Sequence, residues 1–213
     1  RHELEAYGAI FQSTSDSEVI IHLIAHSRAD SFLARIVDAL TQVRGAFSVV
    51  LMTDNGLIAA RDPYGLRPLC IGRLRSSWVV ASETCAFDLL DAEYVREVEP
   101  GELIVITEQG LDSHHPFPKV NPAMCVFEYV YFARPDSRIF GANAVYGTRK
   151  ALGRRLAQES GVPADVVIPV PDSGVPAALG YAEGGRIPFE TGLIRNHYVG
   201  RTFIEPEQSI RHF

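Results

Sequence analysis

The stretch best equipped for chemistry is Val166-Val167-Ile168-Pro169-Val170, followed at once by Pro171-Asp172-Ser173-Gly174 and then by small and apolar residues as far as Ala182. The β-branched run predicts a strand buried on both faces. Four turn-formers end it sharply, and residues 175–182 carry helical spacing. Strand, tight polar turn and helix is how an open parallel sheet presents backbone N–H groups and a helix N-terminus at its carboxyl edge, where phosphate binds. The same residues also suit an ordinary connection in which Asp172 or Ser173 caps the helix. A second candidate is Asp16, within Thr14-Ser15-Asp16-Ser17-Glu18. A carboxylate at a helix start either faces a pocket and takes a cationic group by a charge-assisted hydrogen bond, or only complements the helix dipole. The seven histidines have no metal-ligand spacing, and Cys70, Cys85 and Cys125 sit far apart.

Composition bounds the classes of function. A net charge of −6 over 213 residues argues against a general electrostatic grip on nucleic acid. A signal peptide is not expected, and no apolar run here is long enough to span a bilayer. A sparse, odd cysteine count fits a reducing, cytoplasmic compartment rather than a disulfide scaffold. The chain starts at Arg1 without a methionine and stops at Phe213 inside a polar segment, so an internal piece of a longer protein is expected.

The elements that must position these residues fall into two halves. Ser15 and Glu18 have capping-box spacing and predict a helix through Ile20, Leu23 and Ile24. A second helix is predicted from Ser31, with Phe32, Leu33, Ile36, Val37 and Leu40 on one face, stopping near Gly45. From residue 46 the pattern changes to strands. Residues 46–52 and 57–60 flank an Asp54-Asn55-Gly56 turn, 69–74 and 78–81 form a second hairpin, a short helix covers 84–90, and 94–98 and 103–107 close the region. This is a layered α+β arrangement. Residues 111–123 lack regular pattern and predict a domain junction. Beyond it, residues 125–132 read as an aromatic strand, 144–160 as a helix with Val145, Leu152 and Leu156 inward, and 166–170 as the buried strand. Alternation of helix and strand predicts a parallel sheet. Arg61, Asp62 and Arg67 read as a structural ion-pair network.

Five segments, in order, resemble the amidophosphoribosyltransferase family. They are Thr14 to Glu18, the segment Arg61-Asp62-Pro63-Tyr64-Gly65-Leu66-Arg67-Pro68-Leu69, the segment Glu128-Tyr129-Val130-Tyr131-Phe132-Ala133-Arg134-Pro135-Asp136-Ser137, the Pro169 to Gly174 turn, and Tyr198-Val199-Gly200-Arg201-Thr202-Phe203-Ile204. The resemblance implies an N-terminal-nucleophile, class II glutaminase in part (residues 1–113), of α+β type. It implies part of an α/β type I phosphoribosyltransferase after it (residues 114–213). The implied reaction passes glutamine-derived ammonia to phosphoribosyl pyrophosphate, giving phosphoribosylamine, glutamate and pyrophosphate at the first committed step of purine synthesis. The family's N-terminal cysteine nucleophile and its Asn-Gly oxyanion segment have no counterpart in these residues, nor does its acidic loop for ribose and magnesium. The 213-residue chain alone is therefore expected to be inactive.

By the same resemblance, Asp16 would hold the α-ammonium of glutamine. Asp172, Tyr198 and Arg201 would bind the sugar pyrophosphate, with Ser173 near a magnesium ion. Phe127, Tyr131, Phe203 and Ile204, with Tyr198, would line an ammonia path. Cys125 corresponds to a ligand of a [4Fe-4S] cluster found in part of the family, or is a buried structural thiol. Purine nucleotides are implied as feedback inhibitors, and a homo-oligomer as the assembled form. Two alternatives stand beside this reading. One is another class II amidotransferase with a different second domain, and the other is a non-catalytic purine-nucleotide-binding module.

Overall fold

The computed structural model describes residues 1–141 and 143–198. The chain divides into two compact units, Arg1–Cys125 and Val126–Phe213. The first unit thus runs on past the expected boundary at residue 113. Phe117 packs in this unit's core, and the Ala123 and Cys125 N–H groups bond the Tyr64 and Leu66 carbonyls at 2.8 and 3.0 Å, which carries the unit on to Cys125. The sequence pattern also concealed a strand here. The polar segment Gly110–His114 (β7) pairs antiparallel with Leu103–Thr107 (β6) along its whole length, because an edge strand needs no apolar alternation to hydrogen-bond.

Three helices open the first unit: His2–Ala6 (α1), Ser17–His26 (α2) and Phe32–Gln42 (α3). The Ser31 hydroxyl accepts the Ala34 N–H at 3.1 Å and starts α3 where the sequence indicated. Strands Ser48–Thr53 (β1), Gly56–Arg61 (β2), β6 and β7 form one antiparallel sheet in the order β1-β2-β6-β7. Strands Cys70–Leu74 (β3), Ser77–Ala81 (β4) and Glu93–Glu97 (β5) form a second, in the order β4-β3-β5, with the short helix Cys85–Leu90 (α4) before β5.

Strand alternation builds two cores from the first sheet. Ile58, Ala60 and Leu103 face α2 and α3, where they meet Ile20, Ile24, Ile36 and Leu40. Their neighbours Ala59, Ile104 and Ile106 face the opposite way and pack with Leu69, Ile71 and Val98. Helices, sheet and second sheet therefore stack as layers, and the α+β expectation for this half is met.

The second unit departs from the sequence reading in three places. The predicted aromatic strand is a single turn of π-helix, Glu128–Phe132. Its carbonyls find an internal arginine as partner, so the segment needs no sheet neighbour. The predicted buried strand at 166–170 makes one parallel bridge, Val167 to Phe189, and Val170 is 72% exposed. Among the described residues no further strand pairs with it, so the parallel sheet expected for residues 114–213 is not seen there. Finally, helix Val145–Glu159 (α5) buries Val145, Arg149, Gly153 and Ala157, whereas Leu152 and Leu156 lie exposed. A two-residue hairpin precedes it, Arg138–Ile139 (β8) with Asn143–Ala144 (β9).

The inward face of α5 is set by its close approach to helix Val175–Gly185 (α6). A Cβ on Gly153 would stand 1.9 Å from the Ala177 carbonyl oxygen, and one on Gly180 would stand 1.9 Å from that of Lys150. Backbone therefore packs on backbone, and Lys150 and Arg154 both clamp Glu183, at 2.6 and 2.8 Å. Gly153→Ala or Gly180→Ala should destabilise this unit by about 1–3 kcal/mol or more through overpacking. Gly147→Ala, at a helical position with nothing within 4 Å, should instead stabilise by up to about 1 kcal/mol. Urea denaturation of the three variants checks both signs; equal midpoints would refute the close approach.

Candidate functional site

The start of α2 is built by Glu18, not by a capping box with Ser15. Glu18 reaches back to accept the Gln12 N–H at 2.7 Å, the Ser13 N–H at 2.9 Å and the Ser13 hydroxyl at 2.6 Å. Ser15 instead shares a hydrogen bond with Ser17 at 2.6 Å. The displaced box has a geometric cause: the N-cap is Asp16, in helical backbone geometry and with no side-chain cap bond, which moves Glu18 to the second helical position. Behind Glu18, His22 packs against Phe11 with ring centroids 4.3 Å apart and the rings tilted at 51°, and the Arg1 guanidinium lies over the Phe11 ring at 4.3 Å. The Asp16 carboxylate is left exposed at the helix start, where a cation would find it. Four cavities of about 430 to 750 Å³ elsewhere in this unit are lined by other residues.

Asp62 is fully buried and accepts the backbone N–H groups of Tyr64 and Leu66 at 3.0 and 3.2 Å. Arg61, also buried, donates to three carbonyls: Val98 at 2.6 Å, Arg67 at 2.9 Å and Gly65 at 3.1 Å. Its carboxylate neighbour is Glu97, at 3.5 Å. Beside the Arg61–Glu97 pair, Arg61 and Asp62 thus also build a side-chain-to-backbone scaffold that takes in the Arg67 carbonyl. Burial pulls the Arg61 guanidinium below its ordinary value, against the pull of Glu97 and Asp62. The loop so held accepts the N–H groups of Ala123 and Cys125 on its Tyr64 and Leu66 carbonyls, at 2.8 and 3.0 Å. It anchors the last residues of this unit.

In the second unit the peptide between Pro171 and Asp172 is cis. Gly174 caps α6, and a Cβ there would stand 2.6 Å from the Val170 carbonyl oxygen, so the turn folds back on its own strand. Ser173 is half-buried, and Asp172 pairs with Arg195 at 3.0 Å. Tyr198 is fully exposed, its N–H donating to Asn196 Oδ1 at 3.0 Å. Phe127 and Tyr131 are each 56% exposed and flank Phe132 with ring centroids 6.0 Å away. Arg201, Phe203 and Ile204 lie outside the described residues.

Among the described residues no group of three or more His, Cys, Asp or Glu side chains could hold a metal. A [4Fe-4S] cluster needs four thiolates, and Cys125, half-buried, could supply one of them. Cys70 donates to the Ala81 carbonyl, and burial pushes its thiol up to about 12, an inert state. Cys70 in that state does not suit a metal ligand. Ser173 offers one hydroxyl at the second unit's turn, and Asp172 is ion-paired to Arg195.

Comparison with known proteins accounts for the two candidate segments sharing one polypeptide. Residues 1–88 match the glutamine amidotransferase domain family. The whole chain aligns with the amidophosphoribosyltransferase of Rhizobium etli at 55% identity over 218 residues, and covers 44% of that protein. Against the Bacillus subtilis enzyme the identity is 51%, over 99% of this chain and 44% of the relative. The chain is homologous to amidophosphoribosyltransferase along its whole length. A solved B. subtilis glutamine phosphoribosylpyrophosphate amidotransferase, complexed with ADP and GMP, superposes with a TM-score of 0.88 over 99% of this chain and 46% of that one. The chain thus spans less than half the length of the amidophosphoribosyltransferases it matches. No helix among the described residues is long and apolar enough to cross a membrane.

Three structural residues escape the sequence reading: Glu102 and Arg149, which are buried charges, and Arg195, which pairs with Asp172. Glu18 is singled out by the sequence, but its partners are Gln12 and Ser13 instead of Ser15. A signal for Arg149 does exist: it lies on the four-residue stripe of Val145, Gly153 and Ala157. The Ser13 hydroxyl and the Gln12 and Ser13 N–H groups lower the Glu18 carboxyl from 4.5 to about 2. A depressed carboxylate contributes order above its ordinary value and loses it as the pH falls toward the folded value. Carboxyl-detected NMR titration should find the Glu18 midpoint near 2, with the 12–18 segment loosening only below pH 4.5. A midpoint at 4.5 would show that the back-reach does not form in solution.

Proposed function

We propose that the full-length protein carrying this chain is an amidophosphoribosyltransferase. Glutamine, phosphoribosyl pyrophosphate and water would yield 5-phosphoribosylamine, glutamate and pyrophosphate. The observation that carries this reading is identity of 51–55% along the entire chain, across both the glutaminase-like first unit and the turn-bearing second unit. In this reading residues 114–213 form the first part of a type I phosphoribosyltransferase, a fold whose sheet the described residues only begin with the Val167 bridge.

Asp16 suits the α-ammonium of glutamine because its carboxylate is presented at the helix start without a capping bond. At the second centre, Asp172 and Ser173 would meet the sugar pyrophosphate, with Tyr198 and Arg201 closing over it and excluding the water that competes with ammonia. A magnesium ion would arrive with the diphosphate oxygens and take at most one ligand, Ser173, from this chain. Phe127, Tyr131, Phe203 and Ile204 would give neutral ammonia an apolar route, since burying ammonium unpaired is costly. Cys125 would supply one thiolate to a cluster. Purine nucleotides are the proposed inhibitors, the B. subtilis relative having been solved with ADP and GMP. A cytoplasmic homo-oligomer is the proposed form for a bacterial host, while plant relatives bear chloroplastic names.

The test is glutamate and pyrophosphate release by the full-length protein given glutamine and phosphoribosyl pyrophosphate, with ammonium replacing glutamine as the second arm. Stoichiometric release of both products is expected; none with either nitrogen source would overturn the reading. Asp16→Asn should raise the KM for glutamine by about 10- to 100-fold, the worth of one hydrogen bond to a charged group. An unchanged KM would remove Asp16 from the glutamine site.

A further inference from the structure

The π-helical turn Glu128–Phe132 has a buried side and an exposed side, and one residue fixes the buried side. The Arg149 guanidinium, 2% exposed, sends Nε–H to the Tyr129 carbonyl and Nη2–H to the Ala133 carbonyl at 2.7 Å, with a longer bond to the Glu128 carbonyl at 3.5 Å. Carbonyls at the end of a short helical turn have no partner within it, and a buried carbonyl without one costs about 1–3 kcal/mol. A planar fork with donors at fixed angles serves several carbonyls at once, which a lysine ammonium on a flexible stem does not. A second tie, from the Tyr129 hydroxyl to the Ile139 carbonyl at 3.0 Å, closes the other side, and the Tyr129 ring packs on Phe140. The outward side carries Phe127, Val130, Tyr131 and Phe132, all about half exposed.

We propose that Arg149 is a positioning residue for the ammonia route. It holds the π-turn so that Phe127 and Tyr131 stand at fixed places, and it touches neither substrate nor ammonia itself. The inference rests on the proposed function, which assigns those two aromatic side chains to the route, and adds the group that sets their geometry. A wall that can relax lets ammonia escape to water, where it is protonated and lost as a nucleophile. The predicted defect is therefore in coupling, meaning phosphoribosylamine formed per glutamate released, and not in either half-reaction by itself.

The experiment uses full-length protein and measures three rates: glutamate release, glutamine-dependent pyrophosphate release, and ammonium-dependent pyrophosphate release. In Arg149→Met the coupling ratio should fall about tenfold, with glutamine-dependent synthesis losing far more than ammonium-dependent synthesis. Arg149→Lys and Tyr129→Phe, which each keep part of the scaffold, should shift the ratio the same way by less. They also carry the test if the methionine variant does not fold. Tyr131→Ala should reproduce the coupling loss. An unchanged ratio in every Arg149 and Tyr129 variant, even with lowered melting temperature, would make Arg149 a merely structural residue and overturn the proposal. An unchanged ratio in Tyr131→Ala would do so as well, by removing the turn from the route. In both cases the parent enzyme's glutamine-dependent turnover would leave the proposed function standing. Only absence of that turnover in the unaltered protein would sink both.

Discussion

Buried charge is the constraint from which the first unit takes its shape. Glu102 is fully enclosed, and burial alone would raise its carboxyl. Arg96 at 2.6 and 2.8 Å, the Ser113 hydroxyl at 2.6 Å and the Glu99 N–H at 2.6 Å together hold it below the ordinary value. Those partners come from β5, from β7 and from the turn before β6, so one carboxylate fixes where both sheets end. Arg61 joins the same node, since its N–H donates to the Glu102 carbonyl at 3.0 Å. A half-satisfied network of this kind would be worse than an apolar core. Every loop at this end of the unit must therefore keep its place, including the one that anchors residues 123–125.

The second unit solves its packing by the opposite means. Gly153 and Gly180 remove side chains so that two helices meet backbone to backbone, and the polar residues Lys150, Arg154 and Glu183 seal the margin. Glu128 and Arg149 are the unit's buried charged residues among those described, and Arg149 donates to the carbonyls of Tyr129 and Ala133. One unit is thus held by a shared acid with several donors, the other by a shared donor with several carbonyls.

What the sequence made legible followed local rules. Ser31 announced its helix and the Asp54-Asn55 turn announced its hairpin. What it concealed depended on partners distant along the chain. Leu152 and Leu156 looked inward by hydropathy, yet α6 approaches along the glycine stripe instead. The run of aromatic residues at 127–132 has the composition of a strand, yet Arg149, twenty residues on from Tyr129, supplies the acceptors' partner and makes a π-turn affordable. Asp16 and the Asp172-Ser173-Gly174 turn were legible as candidates because both sit at helix starts, where residue type and backbone polarity are coupled. Arg195 was not, because its partner lies 23 residues away.

That pairing of Arg195 with Asp172 has a consequence for how an anion would reach the turn. Both side chains are about half solvated, so the bond between them is worth little, on the order of 0–1 kcal/mol. At rest the pair is a neutral couple, and it exerts little long-range pull on a passing polyanion. Under the proposed function, a sugar pyrophosphate at the turn would have to compete with this pair, since Asp172 is held by Arg195 before any ligand arrives.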